Sequence, residues 1–414
     1  MAEASGAFGS PLRVFGERDY RPFWASRLLG SLGSEIQSVT MGWQVYAISR
    51  RTLDVPHAAF NVSLIGLCTF GPLFVLALIA GESADRYDRR SVLLVCYAGE
   101  LAVAAALAFT AFAGSTSVPL MLGLAALFGT ARAFFNPAMT ALAPMLVSRS
   151  QLPRAIVLNS LAGDAASMAG PAIAGMLIAI SPASAFTATL LFYAGAALAL
   201  VLIRADTRPP RQHGSRLELV RQGLAYVWAN KLVFGAMSLD LVAVILGGAT
   251  ALLPAFARDV LHVGARGFGF LRAGPAIGAG LVGLALRPIH SKAGAKMLAG
   301  VAVFGAATLV FAFSRSLILS VLALAVLGGA DMLSVFVRQT LVQLVTPDPM
   351  RGRVAAVSGL FIGASNELGE FESGVAARFL GVVGAAVFGG AGALCATAVW
   401  ARLFPALRRA DRLE

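Results

Sequence analysis

Apolar stretches of about 20 residues or more follow one another along nearly the whole chain, separated by short polar connections, and this pattern leaves few folds open. They are read at 23–48, 60–82, 91–113, 119–146, 154–180 and 184–203, and, after a polar stretch, at 232–257, 267–286, 294–313, 317–345, 354–380 and 383–404. Each is too long for a strand, and none shows the two-residue alternation of a membrane barrel, so each predicts a helix that crosses a bilayer. The 414 residues are 58% apolar and only 13% charged. A water-soluble domain carries about a quarter charged residues. Lipid must cover what charge does not.

The bases orient this array. Among 33 Lys and Arg, Arg50, Arg51, Arg258, Arg266, Arg315 and Arg378 fall on one face, Arg132, Arg272 and Arg338 lie deep within spans, and the rest gather on the opposite face. Basic connections stay in the cytoplasm, so both termini are predicted inside and the span number even. The net charge of +12 has the same origin. The bases sit in short connections without interleaved aromatics, which excludes a nucleic-acid partner. Cys68, Cys96 and Cys395 lie in apolar runs and are odd in number, against a disulfide framework. His57, His213, His262 and His290 show no metal-ligand spacing, so neither metal nor cofactor is expected. The first apolar run, preceded by Arg13, Arg18 and Arg21, is too long and too polar at its centre for a cleaved signal peptide. The chain has no nucleophile elbow and no G-x-x-x-x-G-K-[ST] loop, against an enzyme and against ATP drive.

The two ends of the chain echo each other. Gly71-Pro72 in the second span matches Gly274-Pro275 in the eighth, Leu146-Val147-Ser148 matches Leu344-Val345-Thr346, and Glu35 of the first span has a counterpart in Asp240 of the seventh. Duplicated six-helix halves follow, at 1–203 and 232–414. The connection at 204–231 opens with Arg208-Pro-Pro-Arg211 and continues into an amphipathic helical pattern of Leu217, Val220, Leu224, Val227 and Trp228.

Between the second and third spans stands Gly81-Glu-Ser-Ala-Asp85-Arg86-Tyr-Asp88-Arg89-Arg90. Gly81 permits close helix approach, Asp85 can accept hydrogen bonds from a nearby helix start, and Arg86, Arg89 and Arg90 supply positive charge. The stretch resembles G-x-x-x-D-R-x-G-R-R, the cytoplasmic signature of the major facilitator superfamily. The resemblance implies an all-helical membrane fold of twelve helices in two pseudo-symmetric six-helix bundles, with this loop as a cytoplasmic gate. Asp88 stands where the family has Gly, and Glu82 where it has an apolar residue. The equivalent stretch from Gly283 to Lys296 keeps bases and lacks the acid. In the fifth span Ala162, Ala166, Gly170-Pro171 and Ala174-Gly175 form a small-residue seam for a partner helix, bent by Pro171. It resembles the antiporter signature G-x-x-x-G-x-x-x-G-P-x-x-G-G, which implies export. A generic packing seam is the other reading.

Charges inside spans are costly and mark function. At about 1.5 Å per residue, Glu35, Arg132, Asp331 and Glu367 lie about 18–21 Å deep, near mid-bilayer, with Asp164 and Asp240 nearer the cytoplasm. In the eleventh span Glu367 and Glu370 share a helical face, and Asn366 and Glu370 are four apart. Two carboxylates that close cannot both ionise cheaply, so the pair is expected to hold a proton. The alternative is an ion-pair network with Arg132, Arg272 or Arg338. Arg132, in Gly129-Thr-Ala-Arg132-Ala-Phe-Phe-Asn136-Pro137, resembles the fourth-span arginine of the family's proton antiporters; it can hold a carboxylate ionised or meet an anionic substrate group.

The expectation is a secondary transporter in a bacterial inner membrane, acting as a monomer, that exchanges protons for a small organic molecule. By overall layout it resembles the siderophore-export (enterobactin exporter-like) and drug:proton antiporter groups. Substrate would be held by Arg132, Asp331 and the eleventh-span acids, with Trp43, Phe134 and Phe135 as apolar walls. A proton symporter for uptake or a lipid-type flippase is the alternative within the same fold.

Overall fold

The computed structural model describes residues 11–208, 216–285 and 292–409. After a short 3-10 turn at Pro11–Gly16 come α1 (Tyr20–Ser49), α2 (Val55–Arg86), α3 (Arg89–Phe112), α4 (Val118–Leu142), α5 (Leu152–Ile180) and α6 (Pro182–Val201). The connection carries α7 (Arg216–Ala229). Then follow α8 (Lys231–Leu246), the single turn α9 (Leu253–Ala255), α10 (Gly264–Ala285), α11 (Ala293–Phe313), α12 (Leu317–Val345), α13 (Asp348–Leu403) and α14 (Pro405–Arg408). No strand occurs among the described residues.

Ten helical stretches among the described residues are long and apolar enough to cross a membrane, one of them the run Lys231–Val260 taken as a whole. Their outward faces carry bare Phe, Leu, Ile and Val, with Leu284 84% and Phe379 79% exposed, a surface that only lipid can cover. The 56-residue α13 breaks at Gly381, whose φ of 73° and ψ of 164° belong to no helix. That break falls between the stretches read as 354–380 and 383–404. α1 is 30 residues long and carries Arg27 and Glu35 inside it.

The stretch read as a single span at 232–257 is interrupted. α8 stops at Leu246, and the chain passes through a 3-10 turn at Ala249–Leu252, α9 and a π-turn at Phe256–Val260. Gly247-Gly248 carries little helix preference and Pro254 removes a backbone donor, so the ladder cannot run through. The run keeps its hydrophobicity and loses its continuity.

Contacts divide the chain into two compact units. One gathers the chain up to Thr40, Gly71–Thr116 and the stretch from Gly123 through α6; the other gathers Met41–Phe70, Ser117–Leu122 and everything from α7 onward. The reading at 1–203 and 232–414 puts Met41–Phe70 in the first half, whereas by packing it belongs to the second unit. The cause is side-chain contact there. Trp43 stacks on Phe268 with ring centroids 5.4 Å apart, and Phe60 meets Phe371 at 6.3 Å.

In the second unit Ala236, Leu239, Met297, Val301, Val337 and Leu341 form a core shared by α8, α11 and α12. The amphipathic α7 lays Leu224 and Val227 against Val233, Val342, Val354 and Val357. Its Tyr226 hydroxyl donates to the Val345 carbonyl at 3.0 Å, and Trp228 stacks on Phe234. Pro209, Pro210 and Arg211 of the connection, and 286–291 of the basic stretch after α10, lie outside the described residues.

Candidate functional site

In the first unit the basic loop after α2 ties helix ends together. Arg89 donates to the carbonyls of Ala84 at 3.2 Å and Ala141 at 2.8 Å, and Arg90 donates to the Val201 carbonyl at 2.7 Å. Arg89 also feels the charge of Asp85. Arg86 pairs with Glu82 one turn before it, at 3.1 Å and largely in solvent, a contact of small energetic weight. Gly81 is buried. Asp88, the departure from the family pattern, caps α3. Its carboxylate accepts from the Ser91 amide at 3.1 Å, the Ser91 hydroxyl at 2.6 Å and the Thr207 hydroxyl. Partial burial acts to raise its pKa, and the Ser91 and Thr207 hydrogen bonds outweigh that and hold it below the ordinary value.

Arg132 of α4 donates to the Ser34 hydroxyl on α1 and lies over the Phe128 ring, 5.5 Å from its centroid. The acid that acts on it is Glu100 of α3, which is 3% exposed. Glu35, next to Ser34, runs along Gly170 of α5, where the missing side chain leaves room for it. Pro171 and Gly175 continue this buried seam. Asp164, further along α5, acts electrostatically on Arg27. Phe135 packs edge-on against Tyr97 at 5.2 Å, while Phe134 lines a cavity of about 830 Å³ together with Val95, Gly99, Val103 and Leu127.

The second unit holds three further polar groupings. At the end of α1, Arg50 and the Tyr46 hydroxyl both bind Asp259 in the π-turn, Arg50 Nη2 at 3.0 Å. On α13, Glu367 and Glu370 converge on Gly66 of α2: a Cβ there would stand 3.1 Å from one carboxylate and 3.5 Å from the other. Glu370 Oε1 accepts from the Thr250 hydroxyl at 2.7 Å and pairs with Arg272 at 3.3 Å. Asn366 is exposed. Asp240 of α8 pairs with Arg338 of α12 at 3.3 Å, both deeply buried, and Asp331 faces the same small space.

The sequence-derived acids therefore sort into separate places. Glu367 and Glu370 both approach Gly66, and Asp240 and Asp331 line one small space. The network with Arg272 and Arg338 is present beside them. Glu100 and Ser334 were not anticipated as members of these groupings. Glu100 had a signal, one acid in the apolar run of α3, whereas a serine in a membrane helix has none. Among the described residues no group of three His, Cys, Asp or Glu is placed to hold a metal.

Buried charges within long apolar helices, walled by small-residue seams, are the anatomy of a membrane transporter, and comparison with known proteins agrees. The chain is 27% identical over 370 residues to the enterobactin exporter EntS of Shigella dysenteriae serotype 1 (strain Sd197), covering 87% of this chain and 83% of that protein. It has the same identity and coverage with the EntS of Escherichia coli O1:K1 / APEC. Among solved structures it shares its fold with the POT family transporter PepTSo (TM-score 0.75, 13% identity, 95% and 99% of the two chains). A D-xylose-proton symporter is similar in fold too (TM-score 0.69, 12% identity, 92% and 96%). Residues 9–413 match the family described as Transmembrane secretion effector, and the chain belongs to that family, within the major facilitator superfamily of multi-pass membrane transporters.

Proposed function

We propose that this chain is a proton-driven exporter of a small organic molecule of the siderophore or drug type, working by alternating access in a bacterial inner membrane, as a monomer with both termini in the cytoplasm. The observation that carries this reading is the similarity, along 87% of the chain, to proteins named as exporters of enterobactin. The residues supply suitable chemistry. Arg132 is permanently charged and suits an anionic substrate group. The acids of α13 add exchangeable negative charge near Gly66. Gly170, in the α5 stretch that resembles the antiporter signature, lies against Glu35 of α1.

The test is flux of enterobactin in proteoliposomes. Driven export is expected when the side corresponding to the periplasm is made acidic, and an uncoupler should abolish it. Movement of substrate in the same direction as the proton would mark an uptake symporter instead. Gradient-independent movement of labelled phospholipid, with no enterobactin flux, would mark a flippase.

A further inference from the structure

Of the ion pairs described, Asp240–Arg338 is the most deeply buried, with side chains 7% and 2% exposed. Its surroundings do not balance in charge. Asp331 lies on the same face of α12 as Ser334 and Arg338, at three- and seven-residue spacing, so two carboxylates meet one guanidinium. Between Asp240, Asp331 and Ser334 lies a space of about 10 Å³, the size of one water molecule, walled by Val244, Val301 and Phe304. Ser334 is 2% exposed, lines that space, and its hydroxyl has no hydrogen-bond partner. Among the described residues, the charged groups that act on Asp331 are Asp240 and Arg338, and the one that acts on Asp240 is Arg338.

The α13 acids sit differently. Glu370 and Arg272 are 25% and 24% exposed, so solvent screens a surplus charge there. Around Asp240 the screening is weaker, because Asp240, Ser334 and Arg338 are buried while Asp331 is half-buried, and a surplus charge there is unfavourable. One monovalent positive charge corrects it. A metal cation would face the Arg338 guanidinium and find only two carboxylates and one hydroxyl; a proton needs no coordination shell.

We propose that Asp240, Asp331, Ser334 and Arg338 form the proton-coupling site of this transporter. A proton taken from water forms an O–H bond on the Asp331 carboxylate and brings the cluster to zero net charge. Ser334 hydrogen-bonds the protonated group, Arg338 holds Asp240 ionised, and the proton returns to water later in the cycle. This assignment rests on the proton-driven reading above and moves the proton from Glu367 and Glu370 to Asp331.

The experiment first reads proton binding without any substrate. Infrared difference spectra of the purified full-length protein between about pH 5 and about pH 9 should contain a protonated-carboxyl band. Asp331→Asn should remove one component of that band, the double variant Glu367→Gln/Glu370→Gln should keep that component, and Asp331→Glu should restore one. Ser334→Ala removes a hydrogen bond and no charge, so it should shift the band without deleting it; this arm stands even if Asp331→Asn does not fold. In proteoliposomes with enterobactin, Asp331→Asn should lower the ratio of gradient-driven flux to exchange about tenfold or more. A spectrum that loses no component in Asp331→Asn, is unmoved in Ser334→Ala, or loses the same component in the double glutamine variant overturns the assignment. So does a band that varies with sodium concentration. If the band behaves as expected but the wild type shows no gradient-driven flux, the proton-driven reading fails and the site is no coupling site.

Discussion

Gly170 and Glu35 meet so closely that a methyl group has no room: a Cβ at position 170 would stand 2.6 Å from the Cβ of Glu35. Gly170→Ala should therefore lower stability by about 1–3 kcal/mol, the usual cost of overpacking, seen as a depressed melting temperature of the purified protein. Asp88 makes the opposite kind of contribution. As the cap of α3 it should stabilise by about 1 kcal/mol over Asp88→Ala at neutral pH. Its folded pKa lies below the unfolded value, so this advantage is complete above the unfolded value, near 3.9, and disappears as the pH falls through the folded one. Melting curves of the two proteins should converge in acid; a constant gap down to the lowest accessible pH would show that the carboxylate is not the cap. Sequence alone marked Asp88 only as a deviation; its cap bonds to Ser91 are local, and its further bond to Thr207 is brought about by the fold. Ser334 was illegible for a related reason. A serine in a membrane helix commonly bonds the carbonyl four residues back, as Ser238 does, and only packing reveals one that does not.

Among the elements, α13 was largely legible and the run after α7 was not. A 56-residue helix is too long for one crossing, and Gly381 supplies the left-handed φ of 73° at which it breaks. Nothing lies within 4 Å of a Cβ placed there, so a substitution meets only backbone strain. Gly381→Ala should cost about 1–2 kcal/mol and Gly381→Asn clearly less, because asparagine tolerates that region. Equal losses in both, measured by thermal unfolding, would mean that the side chain and not the dihedral angle is at fault. Gly247-Gly248 gave no comparable warning, since glycine pairs are common inside membrane helices as packing devices. Here the same pair ends α8 a short way beyond Asp240, and a 3-10 turn takes over.

For the molecule as a whole, hydropathy was legible because lipid imposes it on every residue of a crossing, whereas the partners of each buried charge depend on contacts between distant segments. Arg132 illustrates this. Its neighbour Glu100 lies on another helix at a position that spacing does not link to it. The bias of basic residues predicts that reporter fusions after α6 and at the C-terminus both read as cytoplasmic. Periplasmic activity from either would overturn the orientation and the even number of crossings. The units also differ in their internal charge. In the first, Glu100 and Arg132 interact electrostatically, while in the second Asp240, Asp331 and Arg338 do. Glu100→Gln is expected to weaken both exchange and gradient-driven flux together, in contrast to the selective loss expected for Asp331→Asn, and flux assays on the two variants side by side check this.

Trp43 stacks on Phe268 with an interplanar angle of 27°, on the same helix end that carries Tyr46 and Arg50 to Asp259. The chain has only four tryptophans, the others being Trp24, Trp228 and Trp400. Replacing those three with phenylalanine would leave an intrinsic fluorophore whose emission and quenching report whether the end of α1 and the start of α10 are together or apart, so that opening of this contact becomes visible in real time without a foreign label.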